Sequence, residues 1–338
     1  MTLRAVACAA LLSLTAMPAV AADQALVDAA KREGQVVWYT TQRAPFPGAV
    51  ADAFRAKYGV EVKFAIYSAA EVPLRVSNEG KAGNQQADVF DGTEGVPSLK
   101  LEGLVLKWQP DSAKRLAPQF VDPNGYWVAT NVYVLSPAFN TNLVPKGSEP
   151  KTFEDLLDPR WKGKMVWSAT PTMTGPGGFI GAVLDRFGEE KGMDYLRKLH
   201  AQNITPILGS PATLNQVVTG EFPIALHVFS GQVADAMGKG VPISWIPMEP
   251  AVALLAVVGQ PVNAPHPNAG KLLMDFLVSP EGQQIYAQHG HIGVDPAAKA
   301  KDAELRPDGI KYRAIYFSPD QIAQLAPRYA GIFRDIFR

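Results

Sequence analysis

Gln35-Val36-Val37-Trp38-Tyr39 is a short apolar run of β-branched and aromatic residues, and two more follow it. Val60 to Ile66 alternates, with Val60, Val62, Phe64 and Ile66 on one face, and Ala87-Asp88-Val89-Phe90 is the third. Runs of this kind predict strands. Between them, Gly48 to Tyr58 spaces Val50, Phe54 and Tyr58 as a helix does and stops at Gly59. Glu71 to Gly80 reads as a second helix. Strand, helix, strand, helix, strand predicts right-handed crossovers and a mostly parallel sheet, hence an α/β fold.

Ligands of such sheets bind beyond the carboxyl ends of the strands. Two loops qualify here. The first carries Thr41, Gln42 and Arg43, and the second carries Asp91, Thr93 and Glu94. Arg43 has two readings, an anion clamp with bidentate donors or a solvated surface arginine. Glu94 reads either as a partner for a cation or amine, or as the cap of a helix that begins near Val96.

The second half repeats the pattern. Tyr126 to Leu135 reads as a long apolar strand with Thr130, Asn131 and Tyr133 embedded. Asn131 and Tyr133 are candidate ligand donors, and Tyr133 reads equally as core. Thr152 is expected to cap a helix carrying Phe153, Leu156 and Leu157. Met165 to Trp167 ends a buried strand, and helical spacing returns from Gly178 (Phe179, Ile180, Val183, Leu184, Phe187). Between them lie Ser168, Thr170, Thr172, Thr174 and Gly175. Hydroxyls and glycines ahead of a helix N-terminus offer donors to a small anion. The bland alternative is a glycine-rich connection with a threonine cap. Phe222 to Phe229 reads as a strand, with Ser230-Gly231-Gln232 as its loop, so Ser230 and Gln232 join the candidate set. Ala251 to Val258 is a further strand, Asn268 is expected to cap the next helix, and Ser318 to Arg338 reads as a pair of amphipathic helices.

Met1 to Ala22 reads as a secretory leader. Arg4 supplies its positive charge, Ala5 to Met17 its apolar core, and cleavage is expected near Ala21 or Ala22. The apolar run is too short for a spanning anchor. Cys8 is the one cysteine and lies inside the leader, which predicts a mature chain without disulfide or thiolate chemistry. The 338 residues carry 32 basic and 32 acidic side chains, and removing Arg4 leaves a single acidic excess. That balance argues against nucleic-acid binding.

Several stretches carry a family resemblance: Gly34 to Thr40, Ala87 to Asp91, Thr152-Phe-Glu-Asp-Leu-Leu-Asp-Pro-Arg-Trp-Lys-Gly-Lys164, and Pro265-His-Pro-Asn-Ala-Gly-Lys271. They resemble the extracellular solute-binding proteins of ABC importers, in the branch that includes ferric-iron binding proteins. The resemblance covers essentially the whole mature chain. It implies a two-lobed periplasmic-binding-protein fold of type 2, each lobe a mixed, mostly parallel sheet flanked by helices, with a two-strand hinge. Lobe one is expected at 23–130 plus 251–300, and lobe two at 131–250 plus 301–338. It further implies a solute held in the cleft between the lobes and a membrane permease as partner. Iron-binding members carry a tyrosine pair where this chain has Ser230 and Gly231, a departure that speaks against direct ferric binding.

The expected function is therefore capture of a small anionic or polar organic solute by a periplasmic monomer that needs no metal or cofactor and catalyses no reaction. Ferric iron with a synergistic anion, through groups such as Tyr39 or Glu94, is the alternative within the class. An exported hydrolase or lyase is the alternative outside it, and a ligand-presenting sensor is a third. No Gly-x-Ser-x-Gly elbow occurs. The five histidines lack zinc-protease spacing. The run Gly175 to Gly181 misses the dinucleotide pattern because position 180 is isoleucine.

Overall fold

A computed structural model describes residues 23–299, 303–307 and 311–337. The leader and Arg338 lie outside these. The first half alternates as its periodicity requires: α1 (Gln24–Glu33), β1 (Gln35–Thr40), α2 (Phe46–Tyr58), β2 (Glu61–Ile66), α3 (Glu71–Lys81), β3 (Val89–Gly92) and α4 (Val96–Leu101). Asp23 caps α1 by accepting from the Ala25 amide, and Gly34 ends it at φ 73°, a left-handed turn that suits glycine. β1 pairs parallel with β2 and β3, Tyr39 opposite Ala65 and Phe90. The third strand starts two residues later than its apolar run, so it includes Asp91.

The chain then crosses on β4 (Val128–Asn140) and continues through β5 (Met165–Ser168), α5 (Pro176–Phe187), α6 (Glu189–His200), β6 (Thr205–Ile207), α7 (Ser210–Val218), β7 (Ile224–Phe229), α8 (Ser230–Gly238) and β8 (Ile243–Trp245). It returns on β9 (Ala251–Gly259), followed by α9 (Pro267–Val278), α10 (Pro280–Gln288), β10 (Ile292–Gly293), β11 (Ala314–Phe317) and α11 (Pro319–Phe337). The strands lie in the order β2-β1-β3-β9-β4-β7-β5-β6. β4 runs antiparallel to both β9 and β7, while β5 is parallel to β6 and β7. Two parallel halves are thus joined through β9 and β4 into one hydrogen-bonded path.

Those two strands also divide the interior. Val132 and Val134 of β4 face a core with Trp38, Phe46, Phe54, Phe276 and Tyr286. Leu135 and Phe139 face a second core with Trp167, Phe179, Leu196 and Phe333. Each buried large side chain contributes about 1.5–3 kcal/mol, so each half carries a core of its own. The fold is the two-lobed α/β architecture. β11 adds a short parallel strand along β9, Ala314 opposite Ala251.

Four local expectations change. The segment after Thr152 is a 3-10 turn (Glu154–Leu157), with the Thr152 hydroxyl accepting from the Asp155 amide at 3.2 Å. Asn268 does not cap α9. It lies in the first turn, where Glu33 of α1 accepts from the amides of Asn268 and Ala269 and from Asn268 Nδ2, so a carboxylate from another helix takes the capping role. The tail is one helix that continues through Pro327, held by Tyr329, Ile332 and Phe333 in the second core. No loop follows β7, because α8 begins at Ser230 itself.

Candidate functional site

The carboxyl ends of β1 and β3 are tied together by Asp91. This carboxylate is 1% exposed. It accepts from Thr40 Oγ1 at 2.5 Å, and from the Thr41 amide and Thr41 Oγ1 at 2.7 Å each. Burial pushes its carboxyl above the ordinary range, against the pull of these donors. Asp91 is therefore a buried tie between the two loops. Thr40 opens the candidate loop at 40–43, although its side chain was not among the candidate ligand-binding groups.

From this tie a relay runs to the crossing strand. Tyr133 OH donates to Gln42 Oε1 at 3.3 Å, and Gln42 Nε2 donates to Asn131 Oδ1 at 3.1 Å. The β4–β9 register shifts between Ala129 and Asn131, a bulge that re-aims the following side chains. Asn131 Nδ2 is buried and has no partner among the described residues. The Tyr133 phenol is pushed up to about 12, first by burial and then by the charge of Asp91, and the charge of Arg43 pulls it the other way. The Tyr133 ring meets Phe229 edge-on at 5.8 Å, which links this cluster to the end of β7. Next to Phe229, Ser230 is fully buried and its hydroxyl lacks a partner among the described residues. Phe229 also escaped the sequence reading, although alternation along its strand places it on the face of His227.

The hydroxyl-rich loop follows β5. Ser168 is 3% exposed, and its Oγ accepts from the Thr170 amide at 3.3 Å. The amides of Gly175 and Gly177 both donate to the Thr172 carbonyl at 3.0 Å, and that of Gly178 donates to Gly175 O. The amides at the start of α5 are thus taken inside the loop. The amides of Met173 and Thr174 have no acceptor among the described residues. In the same turn, Thr172 Oγ1 and Thr174 Oγ1 share a hydrogen bond of 3.1 Å. The glycines serve packing: a Cβ on Gly178 would stand 2.2 Å from Met173 O and 2.7 Å from His227 Nε2. His227 lies beneath, 2% exposed, its pKa lowered to about 4 by burial.

Exposure sorts the fifteen sequence-derived residues. Gln42, Asp91, Asn131, Ser168, Gly175 and Ser230 are buried; Thr41, Thr93, Tyr133, Thr174 and Gln232 are half-buried; Arg43, Glu94, Thr170 and Thr172 are exposed. Hydrogen bonds and ring contacts bring together the loops at 40–43 and 91, strand residues 131–133, and Phe229 beside Ser230. The 168–175 loop joins them through β7, by way of His227. Glu94 does not cap α4, whose N-cap is Gly95. Glu94 is exposed, and partial desolvation by surrounding protein raises its carboxyl above the ordinary range. Three surface cavities, of about 360, 580 and 420 Å³, are lined by none of these residues.

Residues 88–315 match the model of a family described as bacterial extracellular solute-binding protein. The chain belongs to that family. As a solute-binding protein of the ABC-importer type, it has relatives of more than one specificity. It is 23% identical over 316 residues to an Fe(3+)-binding periplasmic protein of Serratia marcescens, covering 88% of this chain and 90% of that one. It is 27% identical over 261 residues to a putative 2-aminoethylphosphonate-binding periplasmic protein of Salmonella typhimurium, covering 74% and 72%. Among solved structures, the periplasmic binding protein AfuA of Actinobacillus pleuropneumoniae, with fructose-6-phosphate bound, superposes at a TM-score of 0.70. It shares 24% identity over 89% of this chain and 99% of that one.

Proposed function

We propose that this solute-binding protein captures a small organic solute through an anionic end and hands it to an inner-membrane permease. The carrying observation is the turn at Thr172 to Thr174. Two hydroxyls 3.1 Å apart stand beside two amides without an acceptor, the donor array that favours an oxyanion. Arg43, exposed in the loop at the end of β1, supplies a full positive charge. The names of relatives that bind a phosphonate or a sugar phosphate support the same reading.

The lobe limits proposed are 23–130 plus 251–300 and 131–250 plus 301–338. The solute lies between the lobes, and closure selects the liganded state. The protein acts as a monomer in the periplasm after removal of residues 1–22, and no bond is made or broken. Thr41, Thr93, Tyr133, Thr170 and Gln232 complete the contact surface. Gln42, Asp91, Asn131, Ser168, Gly175 and Ser230 support it from beneath.

The ferric reading has less support. Tyr39 OH donates to Glu79 Oε1 at 2.7 Å and its phenol is pushed upward, first by burial. Tyr133 is also held in its phenol form. Among the described residues no group of three His, Asp or Glu side chains could hold a metal.

A thermal-shift panel of phosphate esters, phosphonates, carboxylates, polyamines, thiamine and ferric ion with citrate or carbonate tests the proposal. Ligand at 100 times its Kd stabilises by about 2.7 kcal/mol. An organic anion should shift the melting temperature, and Thr174→Val or Arg43→Ala should abolish the shift. A response confined to ferric ion, with a visible charge-transfer band, would replace this reading with the iron one.

A further inference from the structure

The cavity of about 580 Å³ lies at the end of β4 away from Asn131, Tyr133 and Phe229. Leu135 stands opposite Phe229 and Phe139 opposite Ile224. Phe139 is therefore roughly 13 Å further along β4, at about 3.3 Å per residue. In the β4–β8 pair Phe139 stands opposite Ser244. Opposed residues share a face, and Thr141, two positions on, returns to it. These side chains line the cavity with Trp245, Ile246 and Pro247. The Ile246 amide donates to the Pro137 carbonyl at 2.7 Å, and the Met248 amide to Ser136 Oγ at 3.4 Å, so this wall is fixed to β4. The half-buried Trp245 ring is held edge-on against Tyr312 at 5.4 Å. The remaining lining residues, Lys146, Glu149 and Lys151, come from the chain that leaves β4. Glu149 Oε2 accepts from the Gly147 amide at 2.6 Å. Lys146 and Lys151 are exposed, and neither forms an ion pair with any described residue. Two ammonium groups against one carboxylate leave the polar side of the cavity positive.

We propose that this cavity is a second ligand site, for a small carboxylate with an aromatic or branched apolar body. The body lies against Phe139, Trp245, Ile246 and Pro247, and the carboxylate meets Lys146 and Lys151. Its volume of about 580 Å³ falls within the roughly 300–1,000 Å³ of small-molecule pockets. A ligand with both parts covers the apolar wall and pairs the lysines at once. A purely polar anion leaves the wall wet, a hydrocarbon leaves the charge unpaired, and a cation is repelled. The site shares no residue with the strand-end loops, so it stands apart from the solute cleft and does not rest on what that cleft holds.

Isothermal calorimetry on the mature protein tests this with phenylpropionate, phenylpropanol and acetate. Phenylpropionate should bind the wild type, and phenylpropanol roughly fivefold more weakly, the scale of exposed ion pairs. Acetate, without the apolar body, should not bind measurably. The double variant Lys146→Glu with Lys151→Glu should lose the preference for the acid over the alcohol. Ser244→Phe, which fills the cavity from β8, should abolish binding of both. Arg43→Ala should bind phenylpropionate as the wild type does. Absence of phenylpropionate binding, equal affinities for acid and alcohol, or a preference that survives the charge reversal overturns the second site. Loss of binding in Arg43→Ala would place the probe in the cleft and overturn it too. None of these results decides solute capture in the cleft, which the thermal-shift panel tests separately.

Discussion

Thr41 gives its amide and its hydroxyl to the same oxygen of Asp91, each at 2.7 Å, while Thr40 holds the other oxygen. The carboxylate is buried, so these bonds substitute for the water it loses on folding. Asp91→Ala should strand three donors and destabilise the protein by about 2–4 kcal/mol, since an unsatisfied buried donor costs about 1–3 kcal/mol. Asp91→Asn keeps acceptor oxygen toward Thr41 and should cost less than half as much. Urea unfolding of both variants checks the order. Equal losses would mean that the charge, and not the acceptor geometry, holds the loops.

The glycines of the hydroxyl loop make a sharper contrast. Gly178→Ala places a methyl against Met173 O and His227 Nε2 at distances no real contact tolerates. It should displace the Thr172–Thr174 turn and weaken solute binding at least tenfold. Gly231→Ala, in the first turn of α8, meets nothing within 4 Å. It should stabilise by about 0.5–1 kcal/mol, the usual gain of alanine over glycine in a helix. Melting curves with and without ligand separate the two effects.

Much of this was legible in the sequence. The alternation from Gln35 to Phe90 identified the α/β fold, and the strand-end rule pointed to Thr41, Asp91 and Thr172. Four strands escaped: β6, β8, β10 and β11 have two to four residues each, too few for a period to register. The division into exposed and buried site residues also escaped. Gln42 and Asn131 are 89 positions apart, and nothing local to either states that one will cover the other. Ser230 reads as a loop residue because helix α8 starts without the usual turn. The glycines before α5 read as ligand access because their true neighbours, the Met173 carbonyl and the His227 ring, come from a fold-back and another strand.

His227 gives a pH dependence with a definite sign. Its folded pKa of about 4 lies below the ordinary 6.5, because burial disfavours the charged ring. Between these values the unfolded chain binds the extra proton. Stability from this residue is therefore fully present above pH 6.5 and is lost as pH falls toward 4. The loss is on the order of 3 kcal/mol, at 1.36 kcal/mol per pH unit. A His227→Gln variant, less stable at neutral pH, should have a flatter profile between pH 7 and 4. Chemical denaturation at a series of pH values measures the difference. Parallel profiles would place the titration elsewhere.

The C-terminal helix ties the two cores. Its body packs with the second, through Ile332 and Phe333. Its first turn reaches toward the first, where Asp320 accepts from Lys100 Nζ at 2.7 Å and from Trp127 Nε1 at 3.0 Å. Trp127 directly precedes crossing strand β4 and is 3% exposed, so its indole N–H depends on this partner. Asp320→Ala should cost about 1–3 kcal/mol, the penalty for a stranded buried donor. Asp320→Asn should recover part of it, because an amide oxygen still accepts from Trp127. On the proposed lobe limits the contact runs from one lobe to the other, so its loss should shift the balance between open and closed forms. Small-angle scattering of the unliganded Asp320→Ala protein should therefore give a radius of gyration different from wild type. An unchanged radius with reduced stability would make the contact a static brace that plays no part in closure.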